Sequence, residues 1–312
     1  MRFPFRKTQL VDSLVLSRGA AGISVASVVP HQEKPRVVVC ATYAMPENTA
    51  EAWGKLAKTL HLSHKRCRVL LAPNEYQLMQ VDAPNVPAAE LKQAVRWKLK
   101  DMLSYPLEQA TVDAIDILPD RSGTGRGHFM YAVAARNEVI KRYMDGLESA
   151  GVNLEVIDIP ELAQRNIASL LEEGGRGVAL LSFNGDGGLL TFTASGELYH
   201  ARQIEISAAQ LGLADEGQRL HNFDRLVLEL QRSLDNFERQ FNYVTVTRLV
   251  LGPMAGQAAL EEYLRENLYI QVASLDLADV INLAAVEELE NPAMQAQCFL
   301  AIGAALRAEA SA

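Results

Sequence analysis

Short runs of β-branched and other apolar residues open the chain. Residues 13–16, 23–29 and 36–43, separated by polar turns at Arg18-Gly19 and across 30–35, predict a three-stranded meander. Asn48 is placed to cap a helix running to about Leu62, with Ala52, Trp53, Leu56 and Leu60 on one side. Two short strands, 68–72 and 77–81, flank Pro73-Asn74. Over 85–103 an amphipathic helix puts Leu91, Ala94, Val95, Lys98, Leu99 and Met102 on one stripe and turns Lys92, Arg96 and Lys100 away. That basic face reads as solvated, with an acidic partner as the alternative. Strands at 111–118 and 128–134, a helix from Asn137 to Ala150 stopped by Gly151, a strand at 154–159 and a helix at 160–171 complete the first half. The glycine-containing stretch 172–176 is the expected boundary.

The second half follows the same plan. Residues 178–183, 189–193 and a third run from Leu198 form another meander, whose first turn is Asn184, Gly185, Asp186, Gly187 and Gly188 and whose second is Ser195-Gly196. After a polar region at 214–217, a long helix over 222–241 shows an apolar face of Phe223, Leu226, Leu230, Leu234, Phe237 and Phe241. A strand at 243–251, broken by Gly252-Pro253, a helix at 258–267, a strand at 270–272 and a helix at 292–306 close the chain. The repetition of meander, helix, strand and helix predicts two similar α/β lobes with a cleft between them.

Composition narrows the class of function. The 312 residues are 49% hydrophobic, enough for about two domains. A net charge of -8 argues against nucleic acid as the main partner, since phosphate binding needs clustered Lys and Arg. Three cysteines, Cys40, Cys67 and Cys298, fit buried free thiols in a reducing compartment better than a disulfide framework. No apolar run approaches the ~18 residues of a membrane span and no signal-peptide core is visible, so a cytoplasmic location is expected. Phe3 and Phe5 among Arg2, Arg6 and Lys7 read as a frayed terminus, with contact to an anionic membrane surface as the alternative.

Candidate chemistry is sparse. His61, His64 and Cys67 lack a fourth ligand and sit among Lys65, Arg66 and Arg68, so a polar loop is expected there and not a zinc site. Gly123, Gly125 and Gly127, with Arg121 and Arg126, precede a strand, whereas a dinucleotide fingerprint precedes a helix; they read as a hairpin tip. Neither a serine elbow nor a Cys-His nucleophile pair appears, and the acid pairs Glu172-Glu173 and Glu287-Glu288 read as solvated helix ends. The two meander turns remain. Glycines at 184–188 let backbone N–H groups converge on a phosphate, or simply let a hairpin turn, and residues alone leave both readings open. Asp186 is the only acid there, while the first turn offers Ser17, Arg18 and Gly19.

A set of loose motifs in specific order extends over nearly the whole chain. Val86-Pro87-x-x-Glu90-Leu91 leads to Trp97 and Pro106-Leu107-Glu108; Tyr131-Ala132-Val133-Ala134-Ala135 and Leu147-x-x-Ala150-Gly151 precede Ile157-Asp158. Then come Glu229-Leu230-x-Arg232-Ser233-Leu234, Leu249-Val250-Leu251-Gly252 and a closing run from Ala301 to Arg307. This resembles the PilM family of type IV pilus assembly proteins, and within it the branch serving MSHA pili. The resemblance implies an α/β, actin-like (duplicated ribonuclease H-like) two-lobed fold. Its first lobe would span 1–172 with a small subdomain inserted at about 73–134, and its second lobe 176–312. It implies ATP between the lobes, a grip on the cytoplasmic tail of a PilN-like inner-membrane protein, and a place in a cytoplasmic homo-oligomeric ring or collar joined to the pilus assembly ATPase. Location would be cytoplasmic, held at the inner membrane through a partner.

Carried over residue by residue, the family's nucleotide positions fall on Ser17, Arg18, Gly19, Asn184, Gly185, Asp186, Gly187, Glu229, Arg232 and Gly252. The departures bear on activity. The family's Asp-Ile-Gly-Ser turn is Leu16-Ser17-Arg18-Gly19 here, its second Asp-x-Gly is Ser182-Phe183-Asn184, and its Gly-Gly-x-Ala is Gly252-Pro253-Met254-Ala255. Acids that would position Mg²⁺-bound water are lost from both turns, and Arg18 is placed to fill the anion space. The expectation is therefore a scaffold and not an enzyme. The rivals are a working actin-like ATPase using Asp186, and a cytoplasmic homologue from type II secretion, whose usual membrane anchor this sequence lacks.

Overall fold

Apolar runs of strand length alternate with amphipathic stretches throughout. The first half runs through β1 (Ser13–Gly19), β2 (Gly22–Val29), β3 (Arg36–Tyr43), α1 (Ala50–Thr59) and β4 (Arg66–Leu70). It then makes an excursion through β5 (Tyr76–Asp82), α2 (Ala88–Lys98), β6 (Ala110–Asp116) and β7 (Phe129–Arg136), returning as α3 (Asn137–Glu148), β8 (Asn153–Asp158) and α4 (Pro160–Ser169). The second half comprises β9 (Gly177–Phe183), β10 (Gly188–Ala194), β11 (Glu197–Ile204), α5 (Ala208–Leu211), α6 (Glu216–Gln240), β12 (Val246–Leu251), α7 (Gln257–Asn267), β13 (Gln271–Ser274) and α8 (Pro292–Ala305). This computed structural model describes residues 13–19, 22–45, 47–118 and 128–307. The basic, Phe-bearing start of the chain and the loop of Gly123, Gly125 and Gly127 with Arg121 and Arg126 lie outside the described residues.

The duplication is visible in the strand orders, β3-β2-β1-β4-β8 in one sheet and β11-β10-β9-β12-β13 in the other. Each sheet is an antiparallel meander extended by two parallel strands. The excursion forms a third sheet, β5-β7-β6. Helices α1 and α3 cover the outer face of the first sheet, burying Trp53 and Tyr143 with ring centroids 4.9 Å apart. Helices α6 and α7 cover the outer face of the second, where Phe192 stacks on Phe237 at 4.4 Å. One face of the third sheet packs under α2; from the other, Tyr131 and Ile117 join the α6 cluster of the second half.

Between the two five-stranded sheets lies a layer made of one helix from each half. Helix α4, from the first half, packs on β9, β10 and β11, whereas α8, from the second, packs on β1 to β4, and the two helices cross each other. The crossing is tight: a Cβ built on Gly303 would sit 2.3 Å from the Ala163 carbonyl oxygen. Asn166 Nδ2 donates to the Gly303 carbonyl at 2.9 Å beside it. Buried Gln164 donates from Nε2 to the carbonyls of Leu180 (2.7 Å) and Leu189 (3.0 Å), and its Oε1 accepts from Ser182 Oγ at 2.5 Å. A buried amide is tolerated only when satisfied in this way, so Gln164 fixes α4 against the second sheet.

Several boundaries differ from the sequence expectation for local reasons. Asn48 does not cap α1. Its amide is engaged by Trp53 Nε1 at 2.9 Å and Glu75 at 2.7 Å, and Thr49 Oγ1 accepts the capping N–H of Ala52. Helix α2 is shorter than 85–103, Trp97 stands 62% exposed, and of the expected stripe only Val95 and Leu99 are fully buried. Its basic residues are partly spent on the protein itself. Arg96 donates to the Leu107 and Ala110 carbonyls, Lys98 to that of Asp82, and Lys92 pairs with Asp113 at 3.1 Å. Asp215 caps α6 through the Gln218 N–H at 2.8 Å, starting that helix before Asn222, and a Ser207/Gln210 capping box adds the unforeseen α5. Strand β12 starts at Val246, while Tyr243 reaches from the preceding turn to the Leu118 carbonyl at 3.0 Å. Glu172 is not simply solvated, since its carboxylate accepts the Gly196 N–H at 3.1 Å. All three cysteines are free.

If the α4–α8 crossing sets the spacing of the two sheets, Gly303→Ala should lower unfolding stability by about 1–3 kcal/mol through overpacking. This would appear as a reduced denaturation midpoint at unchanged m-value; an unchanged midpoint would show that the helices have room to part.

Candidate functional site

Parallel strands deliver their C-terminal ends to one edge of each sheet, the place where loops of α/β sheets commonly bind ligands. Register aligns Ser17 with Leu70 and Leu70 with Asp158 in the first sheet. In the second it aligns Leu251 with Leu181 and with Ser274. Ser17, Arg18 and Gly19 thus end β1 at the position equivalent to the end of β9, where Asn184, Gly185, Asp186 and Gly187 turn the chain; Gly252 follows β12 on the same edge. Glu229 and Arg232 lie on α6.

The second turn is closed on itself. Asn184 Oδ1 accepts the backbone N–H of Asp186 at 2.8 Å and of Gly187 at 3.0 Å, and the Asn184 N–H reaches the Gly187 carbonyl at 2.9 Å. Those are the donors that a phosphate would use in an anion nest; here a side-chain amide oxygen takes them in an Asx turn. Gly187, at φ +145°, is required because a Cβ would stand 2.8 Å from the Ile204 carbonyl oxygen, so its role is close packing of β11. Asp186 is exposed.

In the first turn, strand alternation puts Arg18 on the face of Leu14 and Leu16, with Ser17 on the opposite one. The Arg18 charge lies near enough to Tyr143 to favour its ionised form, although burial dominates and pushes that hydroxyl far up. Tyr143 donates to Glu75 at 2.6 Å, and Arg142 pairs with the same carboxylate at 3.0 Å. Gly252 is bound structurally: its N–H donates to the Leu181 carbonyl at 2.7 Å, and Gln257 Nε2 donates to the carbonyls of Leu251 and Gly252, each at 3.1 Å.

Glu229 and Arg232 face a cavity of about 420 Å³ between β11 and α6. Arg202 and Arg225 also line it, and Leu228, 53% exposed, contributes an apolar surface. Glu229 accepts from Arg202 and from Arg232, the latter at 3.3 Å, so its charge is neutralised on the spot. The cavity gathers these two of the sequence-derived residues and none of the turn residues.

Sequence reasoning passed over an acid that sits where α4, β5 and β11 meet. Glu161, in the first turn of α4, is 2% exposed. Its Oε2 accepts the Tyr76 hydroxyl of β5 at 2.5 Å and its Oε1 the Gln203 amide of β11 at 3.2 Å. Burial raises its carboxyl above the ordinary range, opposed by the Tyr76 and Gln203 hydrogen bonds. Asp158 beside it pairs with Arg307 at 2.6 Å and accepts the Ile159 N–H at 2.9 Å. The available signal was a lone charge on the helix face that carries Gln164 and Ala168. Among the described residues no three His, Cys, Asp or Glu side chains are grouped to hold a metal, and no helix is long and apolar enough to cross a membrane.

Neither a protein-family model nor a curated protein matches the chain. Solved structures do. A chain of a PilM–PilN type IV pilus biogenesis complex matches with a TM-score of 0.72 and 21% identity, over 95% of this chain and 98% of the other. A protein of unknown function with an actin-like ATPase fold from Bacteroides thetaiotaomicron matches with a TM-score of 0.51 and 13% identity, over 89% and 95%. The cytoplasmic domain of EpsL, an inner-membrane component of the Vibrio cholerae type II secretion system, matches with a TM-score of 0.47 and 14% identity, over 95% of this chain and 96% of the other. At these identities the likeness concerns the fold, which is actin-like and two-lobed, as the duplicated sheets require.

Asn184→Ala should cost about 1 kcal/mol, because two backbone donors lose their partner while remaining free to find water. Asn184→Asp, which keeps an acceptor in place, should lose little. Equal denaturation midpoints for the native chain and Asn184→Ala would show that the Asx bonds do not hold the turn.

Proposed function

We propose that this chain is a non-catalytic, actin-like scaffold of a type IV pilus machine, of the MSHA pilus branch, which holds the cytoplasmic tail of a PilN-like inner-membrane protein. The observation that carries the non-catalytic half is the self-occupied second turn, where Asn184 Oδ1 holds two of the N–H groups that a phosphate would need. The acids around the cleft support it. Glu161 is bound by Tyr76 and Gln203, Asp158 by Arg307, and Glu229 by two arginines, which leaves none of these three poised to hold Mg²⁺-bound water. The residues present therefore do not fit Mg-ATP as a substrate, and no hydrolytic step is assigned to them.

The partner half is supported by the fold match to a PilM–PilN complex over almost the whole of both chains. A groove of about 380 Å³ beside the inserted sheet gives an extended peptide a place to lie, with Phe129 of β7 on one side and Asn236, Arg239 and Gln240 of α6 on the other. The protein would then sit at the cytoplasmic face of the inner membrane through its partner.

One experiment addresses both halves. A fluorescent peptide of the PilN-like tail is titrated against the full chain with and without Mg-ATP, and phosphate release is followed in the same samples. Saturable binding is expected, weakened about tenfold or more (~1.4 kcal/mol) by Phe129→Ala, with phosphate at the level of the blank. Steady turnover would establish the working-ATPase alternative, and absence of peptide binding would remove the assigned partner.

A further inference from the structure

Glu161 joins the first half, the inserted sheet and the second half through hydrogen bonds. It is carried by α4, receives Tyr76 from the first residue of β5 at 2.5 Å, and receives Gln203 from β11 at 3.2 Å. Gln203 has a second position of interest, because it also lines the arginine-bordered cavity between β11 and α6. Register places Gln203 opposite Leu189, whose carbonyl accepts from Gln164 one turn further along the same helix. Cavity wall, buried carboxylate and inserted sheet are thus joined by two consecutive hydrogen bonds.

A carboxylate buried in this way is costly unless every lone pair is engaged, and loss of one donor leaves the other half of the group exposed to a low-dielectric surrounding. The two arms therefore depend on each other through a shared acceptor. Burial, together with the Glu161 charge, keeps the Tyr76 hydroxyl protonated well above its ordinary range, so it stays a donor at any physiological pH. Direct contact between inserted sheet and β11 also exists: Tyr131 Oη accepts the Ala201 N–H at 3.1 Å and lies 3.4 Å from the Tyr199 carbonyl. This second route is a direct hydrogen bond that does not pass through the Glu161 carboxylate, although the Glu161 charge lies near enough to act on Tyr131.

We propose that the Tyr76–Glu161–Gln203 chain is a relay that couples the wall of the β11–α6 cavity to the inserted sheet, so that a displacement of that wall changes the setting of the sheet beside the tail groove. The purpose assigned to it rests on the scaffold reading; the coupling itself does not, and its test uses neither nucleotide nor tail peptide.

Amide hydrogen exchange is measured on the full chain and on Tyr76→Phe, Gln203→Leu and Glu161→Gln, with β12 as internal standard. Gln203→Leu should accelerate exchange in β5, which it does not touch, by about threefold, and Tyr76→Phe should do the same to β11, as expected for neighbours sharing one network. In the Glu161→Gln background neither change should add more. Effects confined to the strand that carries the substitution would overturn the relay. So would cross-effects that persist without the carboxylate, since those would travel through Tyr131. If Glu161→Gln does not fold, the two single variants still decide, because both leave Glu161 in place. Failure here with intact tail binding would remove the relay alone.

Discussion

The crossing of α4 on α8 is the constraint on which the remaining architecture depends. Each half contributes its last long helix to the other half's sheet, so neither sheet has a complete inner face without the opposite half of the chain. At the point of closest approach the interface is backbone against backbone, with Gly303 over the Ala163 carbonyl, and a buried amide, Gln164, ties the helix pair to β9 and β10. Opening the lobes would expose the apolar layer around Ile167, Phe299 and Ile302 and strand the Gln164 donors. Such an arrangement favours a fixed cleft, which suits a scaffold that must present constant surfaces.

The same rigidity explains how the cleft tolerates its chemistry. A second turn in which Asn184 satisfies the backbone leaves the hairpin stable with no ligand in place. Charges around the edge are likewise paired internally: Asp158 with Arg307, Glu229 with Arg202 and Arg232, Glu75 with Arg142. An ATPase needs carboxylates that are restrained but still available to metal-bound water; Asp158, Glu229 and Glu75 are each held by arginines of the protein itself. The proposed role through protein contacts follows from that balance.

Strands of the two meanders were legible because β-branched runs between turn residues have few alternatives, and the repeated order of elements carries the duplication in the sequence itself. Helix ends were less so. The stretch 85–103 has helical periodicity beyond Leu99, but Trp97 and Met102 remain exposed, and the helix ends at Lys98 although Leu103 still packs on the cluster under it. Asn48 looked like a cap, yet tertiary partners at Trp53 and Glu75 claimed its amide. Glu161 could not be read at all, since its partners lie 85 and 42 positions away in the chain. The turn glycines were visible, whereas the fact that Asn184 fills the space they enclose depends on a side-chain rotamer.

The most direct measurement is a crystal structure of the chain soaked with a non-hydrolysable ATP analogue and Mg²⁺. The account predicts no triphosphate between the turns at Ser17 and Asn184, with Asn184 Oδ1 still bound to the Asp186 and Gly187 amides. Density for phosphates on those amides, with Asn184 turned out and Asp186 drawn toward a metal ion, would contradict it.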